Sequence, residues 1–312
     1  MPFFEVLFAI VPLFALTLLG TWFRKKSFMA PGADSSLQWL LIHVFTPCLY
    51  LDSFLGNKAL ESIGTVLFVP VLGFCTVIVG LLLASIGARV IGMTDEGQKR
   101  IFSVCVAFYN YGYIPIPLIL LFFNTEVLGM LLLYNVGLDF AFWSLGFLLL
   151  THKKSSLSEL AKHVATPPLV AATMAIISNG VFGYNPLPLA TARLVHMVGQ
   201  ATIPVALLII GATVFDHIPS LRSLDGLKPI VAGLVLRLFL IPLCFVAAAF
   251  FLPISHDLKI VLLIQAGMPS AVLPIVIIQH YGGDLQLAVR VVVATSIGSL
   301  VTMPLWFTFL FN

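Results

Sequence analysis

The sequence predicts an all-α polytopic membrane protein of about ten transmembrane helices, arranged as two inverted five-helix repeats with broken fourth and ninth helices. Three observations carry that reading. Of the 312 residues, 60% are hydrophobic and only 9% charged, where a soluble domain carries about 25% charge. Apolar runs of the ~20 residues needed to span a ~30 Å hydrocarbon core recur down the whole chain with short gaps between them. Two of these runs, in matching places of the two halves, are interrupted at mid-depth by glycine, proline and amide side chains.

On that ruler the spans run approximately 3–23, 36–55, 64–90, 99–123, 126–150, 163–183, 190–213, 229–252, 257–280 and 285–311. Helix starts carry capping chemistry, which satisfies backbone N–H groups that lipid cannot. Asp34 or Ser35 precedes the second span, and Asp95 with Gln98 the fourth. Ser156 with Glu159 makes a capping-box pattern before the sixth, and Ser255 and Asp284 stand before the ninth and tenth. In the third span Thr76, Gly80, Ala84 and Ala88 form a small-residue stripe of the kind that lets helices pack closely. The gaps between spans leave no room for a soluble domain.

The N-terminus shows no basic n-region, carries Glu5, and its first apolar run is followed by Arg24-Lys25-Lys26, so that run reads as a retained span and not a secretory signal. With the N-terminus outside, twelve basic residues fall on the inner side (Arg24, Lys25, Lys26, Arg89, Lys99, Arg100, Lys153, Lys154, Lys162, Arg222, Lys228 and Arg290) against three outside (Lys58, Arg193 and Lys259). That excess places both termini on the non-cytoplasmic face. The chain divides after the fifth span at the basic segment 151–162, giving a first repeat at 1–150 and a second at 163–312. Five is odd, so the second half enters the membrane from the opposite side. Thr46-Pro47 in the second span and Ile203-Pro204 in the seventh echo one another.

The interrupted stretches are Tyr109-Asn110-Tyr111-Gly112-Tyr113-Ile114-Pro115-Ile116-Pro117 and Gln265-Ala266-Gly267-Met268-Pro269-Ser270-Ala271-Val272-Leu273-Pro274. Pro115 and Pro274 are 159 residues apart, and so are Arg100 and Lys259. Proline removes a donor and clashes with the preceding turn, so both helices must break. Irregular backbone at membrane depth survives only inside protein or against a water-filled cavity. Paired interruptions in corresponding halves point to a transporter's binding site.

Other chemistries find little support. Cys48, Cys75, Cys105 and Cys244 all lie in apolar runs without a CxxC or Cys/His cluster, and read as packing residues, not metal ligands. An intramembrane enzyme would need an HExxH, a GxSG with a histidine, or paired catalytic aspartates, and none is present. No nucleotide-binding motif appears, no metal or organic cofactor is implied, and nothing points to nucleic acid.

Several stretches together resemble the auxin efflux carrier family. Asn-Tyr-Gly-Tyr-Ile-Pro-Ile-Pro-Leu at 110–118 is similar to its Asn-x-Gly-x-x-x-x-Pro segment, and Pro-Val-Ala-Leu-Leu-Ile-Ile-Gly-Ala at 204–212 to its Pro-x-Ala-Leu-x-x-x-Gly pattern. Thr-Pro-Pro-Leu-Val-Ala at 166–171, the stretch from Met268 to Tyr281 and Thr-Ser-Ile-Gly-Ser-Leu-Val-Thr-Met-Pro-Leu-Trp at 295–306 extend the resemblance over nearly the whole chain. Proline at 115, where the family often has glycine, is a departure. The resemblance implies helices 4 and 9 crossing at the membrane centre, helices 1, 2, 6 and 7 as a scaffold able to form a homodimer, and helices 3–5 and 8–10 as a moving transport domain. It also implies export or import of a small organic anion across the plasma membrane: an auxin-like weak acid in plants, malate or malonate in bacteria. The plant carriers' long central loop is absent, which fits a compact prokaryote-type member. A bile-acid-type sodium symporter is the nearest alternative, and a channel or receptor a more distant one.

Candidate site residues follow from the breaks. The second half of each broken helix presents free N–H groups and the positive end of its dipole to an anion. Asn110, Gln265 and Ser270 can donate hydrogen bonds to a carboxylate, with Gly112, Pro115, Pro269 and Pro274 shaping the breaks; the plainer alternative is that the amides only satisfy freed backbone. Asp139 and Arg237 lie mid-span in helices 5 and 8, where an unpaired charge costs ~2.5–3.5 kcal/mol even on lenient scales. They read either as a mutual ion pair or as coupling groups, with Asp139 a site for H+ or Na+ and Asn135 on the same helix face. His43 and His196 read as hydrogen-bonded packing residues, and Thr295, Ser299 and Thr302 as hydroxyls bonded back to their own helix.

Overall fold

The computed structural model describes residues 3–30, 32–151, 166–182, 186–216 and 227–311, and among these all long elements are helices. The expected capping box at Ser156 and Glu159 lies outside the described residues. Helix α1 (Phe3–Lys25) ends at Ser27, whose φ of +60° takes the left-handed position that stops a helix. Next come α2 (33–54), α3 (Ile63–Val90) and the two-part α4, with α4a at Glu96–Ala107 and α4b at Pro115–Phe122. Then follow α5 (Thr125–Thr151), α6 (Pro167–Phe182), α7 (Leu189–Asp216) and α8 (Leu227–Phe251). The two-part α9, with α9a at His256–Ala266 and α9b at Leu273–Tyr281, and α10 (Leu285–Leu310) complete the order.

Six of these, α1, α3, α5, α7, α8 and α10, are long and apolar enough to cross a membrane. Of the others, α6 has 16 residues, and each part of α4 and α9 has 12 or fewer because the chain breaks between them. Large apolar side chains such as Phe4, Phe8, Leu67, Phe251 and Phe309 face outward on many helices, a surface suited to lipid and not to water.

Start signals are partly as expected. Asp95, Ser255 and Asp284 accept from the backbone N–H of Gln98, Leu258 and Leu287, and Asn124 caps α5 in the same way through Val127. Asp34 does not cap α2: it is drawn instead to the Arg24 guanidinium, which also meets Asp216 at 3.2 Å and so ties α1, α2 and α7 together. Ser35 donates to the Gly32 carbonyl instead.

Packing gathers the helices into two groups, which meet where α1 lies on α10 and α2 on α5. In the first, α1 lies along α7, and α2 packs on α6 and α7. The α1–α7 seam is backbone-close: a Cβ on Gly211 would stand 1.8 Å from the Thr17 carbonyl oxygen, and the Thr21 hydroxyl donates to the Gly211 carbonyl at 2.9 Å. In the second group α3 packs on α4a and α5, α5 on α9a, and α10 on α8 and α4a. The stripe Thr76, Gly80, Ala84, Ala88 is buried along this seam, and a Cβ on Gly137 of α5 would stand 1.8 Å from the Pro70 carbonyl oxygen. The larger buried cluster runs through this second group and continues into the first, where it takes in Val6, Ile10, Leu49, Tyr50, Ala175 and Leu207.

Among the described residues three helices carry a π turn: Leu41–Phe45 in α2, Phe142–Gly146 in α5 and Leu236–Leu240 in α8. The extra residue in such a turn re-aims side chains and loosens the backbone ladder. In α8 it turns Arg237 inward, and the Trp306 indole of α10 donates to the Leu238 carbonyl at 2.9 Å.

Candidate functional site

The two breaks meet. Residues 108–114 interrupt α4 and residues 267–272 interrupt α9. Tyr109 and Ser270 pair as an isolated antiparallel bridge. The Asn110 N–H donates to the Pro269 carbonyl at 2.8 Å and the Ala271 N–H to the Phe108 carbonyl at 2.9 Å. Each break thus satisfies backbone that the other has freed, which lipid could not do. The first halves end at Ala107 and Ala266, again 159 residues apart. Pro115 and Pro274 open the second halves, at the first-turn positions where a missing N–H costs nothing. Neither second half has a side-chain cap at its N-cap residue, Ile114 or Val272.

The amides divide their labour. Asn110 Oδ1 accepts from the Tyr113 N–H at 3.2 Å, which is the backbone-satisfying role, while its amide nitrogen has no hydrogen-bond partner among the described residues. Gln265, fully buried, donates to the Tyr111 carbonyl and to Asn135 Oδ1, both at 3.1 Å, and its own Oε1 has no partner. Asn135 donates to the same Tyr111 carbonyl at 2.9 Å. Ser270 is buried, its N–H donating to Thr295 Oγ1 at 3.3 Å and its hydroxyl oxygen left without a partner. A Cβ on Gly112 would meet no atom closer than 4.0 Å, so glycine is not required there by packing.

Asp139 and Arg237 do not form the ion pair that their mid-span positions suggest. The Tyr111 hydroxyl donates to Asp139 at 2.5 Å, and Tyr50 and Tyr113 stand within electrostatic reach of the same carboxylate. Arg237 is spent elsewhere: its Nε donates to the Met268 carbonyl at 2.8 Å and its Nη2 to the Gln265 carbonyl at 3.1 Å. The reason is competition. A helix C-terminus offers several carbonyls with the negative end of a dipole, and α9 breaks within reach of α8, whereas Asp139 is already held by a neighbouring hydroxyl. Asn135 and Asp139 do share a face, and together they grip Tyr111 by its carbonyl and its hydroxyl.

Among the other hydroxyls, Thr295 bonds back to Val291 and Val292 at 2.9 Å and Ser299 to Ser296 at 2.7 Å, while the Thr302 hydroxyl is buried without a partner. His43 stacks on Trp39, and His196 meets Asp52 at 2.9 Å across α7 and α2.

A family model described as "Membrane transport protein" matches residues 5–161 and 153–307. A transporter of Methanothermobacter thermautotrophicus is 28% identical over 298 residues, covering 95% of this chain and 96% of its own length. One of Methanocaldococcus jannaschii is 25% identical over 305 residues with the same coverage. Both are described only as uncharacterized transporters. The chain belongs to the membrane transport protein family. This is the family to which the motifs pointed through their resemblance to the auxin efflux carriers.

In this family member the sequence reading missed the tyrosines. Tyr109, Tyr111 and Tyr134 count as apolar in a hydropathy reading, yet their hydroxyls build the polar core behind the breaks. Thr76 lies 2.6 Å from the Tyr134 hydroxyl, which lies 3.0 Å from that of Tyr109, whose ring in turn carries the Arg237 guanidinium 4.4 Å from its centre. The clustering of Tyr109, Tyr111 and Tyr113 around Asn110 was the available signal.

Proposed function

We propose that this chain is a secondary transporter that moves a small organic anion, a carboxylate such as malate or malonate or an auxin-like weak acid, by alternating access. What carries the reading is the backbone pairing of Tyr109 with Ser270. It gathers two interrupted helices, two uncapped helix N-termini and the free amide nitrogen of Asn110 at one place, and helix N-termini with free donors favour anions. In this reading ten spans form two inverted repeats, with α4 and α9 crossing near the membrane midplane. The group α1, α2, α6 and α7 is the scaffold, where a homodimer would form, and α3–α5 with α8–α10 is the part that moves. Both termini face away from the cytoplasm, in the plasma membrane.

The substrate site comprises Asn110, Gly112 and Pro115 from one break and Gln265, Pro269, Ser270 and Pro274 from the other. Gln265 and Asn135 hold the Tyr111 carbonyl and so fix the shape of the first break. Asp139, bonded to Tyr111 and near Tyr50 of the scaffold, is placed to let a proton on the carboxylate alter the contact between the two groups of helices. The test is uptake by proteoliposomes of radiolabelled malate, malonate and indole-3-acetate under imposed pH and sodium gradients. Saturable uptake of at least one acid supports the reading, and none for any organic anion refutes it. A bile-acid-type sodium symporter is the second reading, favoured by the paired breaks alone, and sodium-dependent uptake would select it.

A further inference from the structure

A broken membrane helix has two unlike ends. Its N-terminal end draws anions, while its C-terminal end exposes carbonyls that in broken-helix transporters coordinate Na+ or H+. At α9a that carbonyl end is already filled. Arg237 Nε donates to the Met268 carbonyl at 2.8 Å, and Nη2 to those of Gln265 at 3.1 Å and Ala266 at 3.4 Å. The guanidinium carbon lies 4.4 Å from the centre of the Tyr109 ring and 5.7 Å from that of Phe245, both positioned to stabilise a cation through their faces.

The side chain is 0% exposed, Nη1 makes no hydrogen bond, and no carboxylate pairs with it among the described residues. The charge is held by carbonyl dipoles and aromatic faces but not neutralised. It sits against both breaks, on Tyr109 of one and Met268 of the other. A buried positive charge without a counter-ion favours an anion nearby. The residue 159 positions earlier in the other half is Ile78, so the charge is placed at one break only.

We propose that Arg237 is the resident cation of the crossover. It occupies the carbonyl end that a monovalent metal ion would otherwise take, so that anion binding there requires no sodium. The anion half of this statement rests on the transport reading above; the cation half concerns this chain alone. Because a guanidinium does not deprotonate under physiological conditions, the charge stays constant through the transport cycle, where a bound sodium ion would come and go.

The experiment separates the two halves. Melting of the purified protein, without carboxylate, is followed in sodium chloride and in choline chloride at equal ionic strength, for wild type, Arg237→Ala and Arg237→Lys. Wild type is expected to melt at the same temperature in both salts. Arg237→Ala is expected to melt lower and to recover saturably, by several degrees, with sodium or ethylguanidinium but not choline. Arg237→Lys keeps the charge and is expected to be indifferent to sodium.

Sodium-specific stabilisation of wild type, or an Arg237→Ala protein that answers to no cation, overturns the proposal. If Arg237→Ala does not fold, Arg237→Lys decides: a sodium requirement in it overturns, indifference supports. In a separate arm malate, malonate and indole-3-acetate are each titrated into wild type in choline chloride. Binding there supports the proposal, and binding that appears only with sodium overturns it. A wild type that binds no carboxylate in either salt refutes the transport reading, while the melting arm still decides the place of Arg237.

Discussion

Asn110 combines two roles that a pair of substitutions can separate. Its oxygen caps the Tyr113 N–H and its nitrogen is free. Asn110→Ala removes both, and the lost hydrogen bond alone costs about 1 kcal/mol. Asn110→Asp keeps an oxygen where the cap needs one but puts negative charge where the donor stood. Its melting temperature is expected to stay near wild type while carboxylate uptake falls by at least about tenfold. Normal uptake by Asn110→Asp would leave Asn110 as a backbone cap and nothing more. Asn110, Gln265 and Ser270 were legible as sites because an amide or hydroxyl inside an apolar run demands a reason. Their partners were not legible, since Tyr111 reaches Gln265 across 154 positions of chain. The same blindness allowed Asp139 and Arg237 to read as an ion pair that they do not form, because shared depth says nothing of direction. A double-mutant cycle of Asp139→Asn with Arg237→Gln should therefore be additive within about 0.5 kcal/mol. A coupling well above that in thermal unfolding would restore the ion pair.

Among the helices, the seams depend on a few backbone-close contacts and the breaks do not. Gly211→Ala would drive a methyl into the Thr17 carbonyl, and Gly137→Ala into that of Pro70. Neither obstacle is a flexible side chain, so each is expected to cost about 1–3 kcal/mol by overpacking, read as a lower melting temperature in detergent. Gly112→Ala meets open space and should stay within about ±0.5 kcal/mol of wild type. A transport defect in Gly112→Ala without loss of stability would then report the passage of substrate, and unchanged transport would remove Gly112 from the site. The breaks themselves were legible from proline, because its missing N–H and fixed φ act locally. That Tyr109 faces Ser270 was not, because the pairing depends on how α4 and α9 lie across one another. The π turns also escaped the sequence reading: Leu236–Leu240 looks like any apolar helical segment, and only tertiary contacts such as Trp306 make the looser turn worthwhile.

Taken as a whole, the chain is expected to have a direction in the membrane, and the site depends on it. An N-terminus outside brings α4b away from the midplane toward the outer face and α9b toward the inner face. Their N-terminal ends then meet near the centre from opposite sides, where one anion can be reached from either compartment as the two helix groups shift. The ordering rests on the basic residues, twelve inside against three outside, and it can be checked without knowing the substrate. In a background with Cys48, Cys75, Cys105 and Cys244 replaced, Lys58→Cys places a thiol at the exposed turn before α3, and Thr94→Cys at the exposed turn before α4a. These turns lie at opposite ends of α3, a 28-residue helix, which at ~1.5 Å per residue is longer than the ~30 Å core. A membrane-impermeant maleimide applied to intact cells should label Lys58→Cys at once and Thr94→Cys only after permeabilisation. The reverse pattern would invert every span, leaving the paired breaks in place but exchanging which helix half opens to which side. Labelling of both from outside would mean that α3 does not cross the membrane, and the transport reading would fall with it.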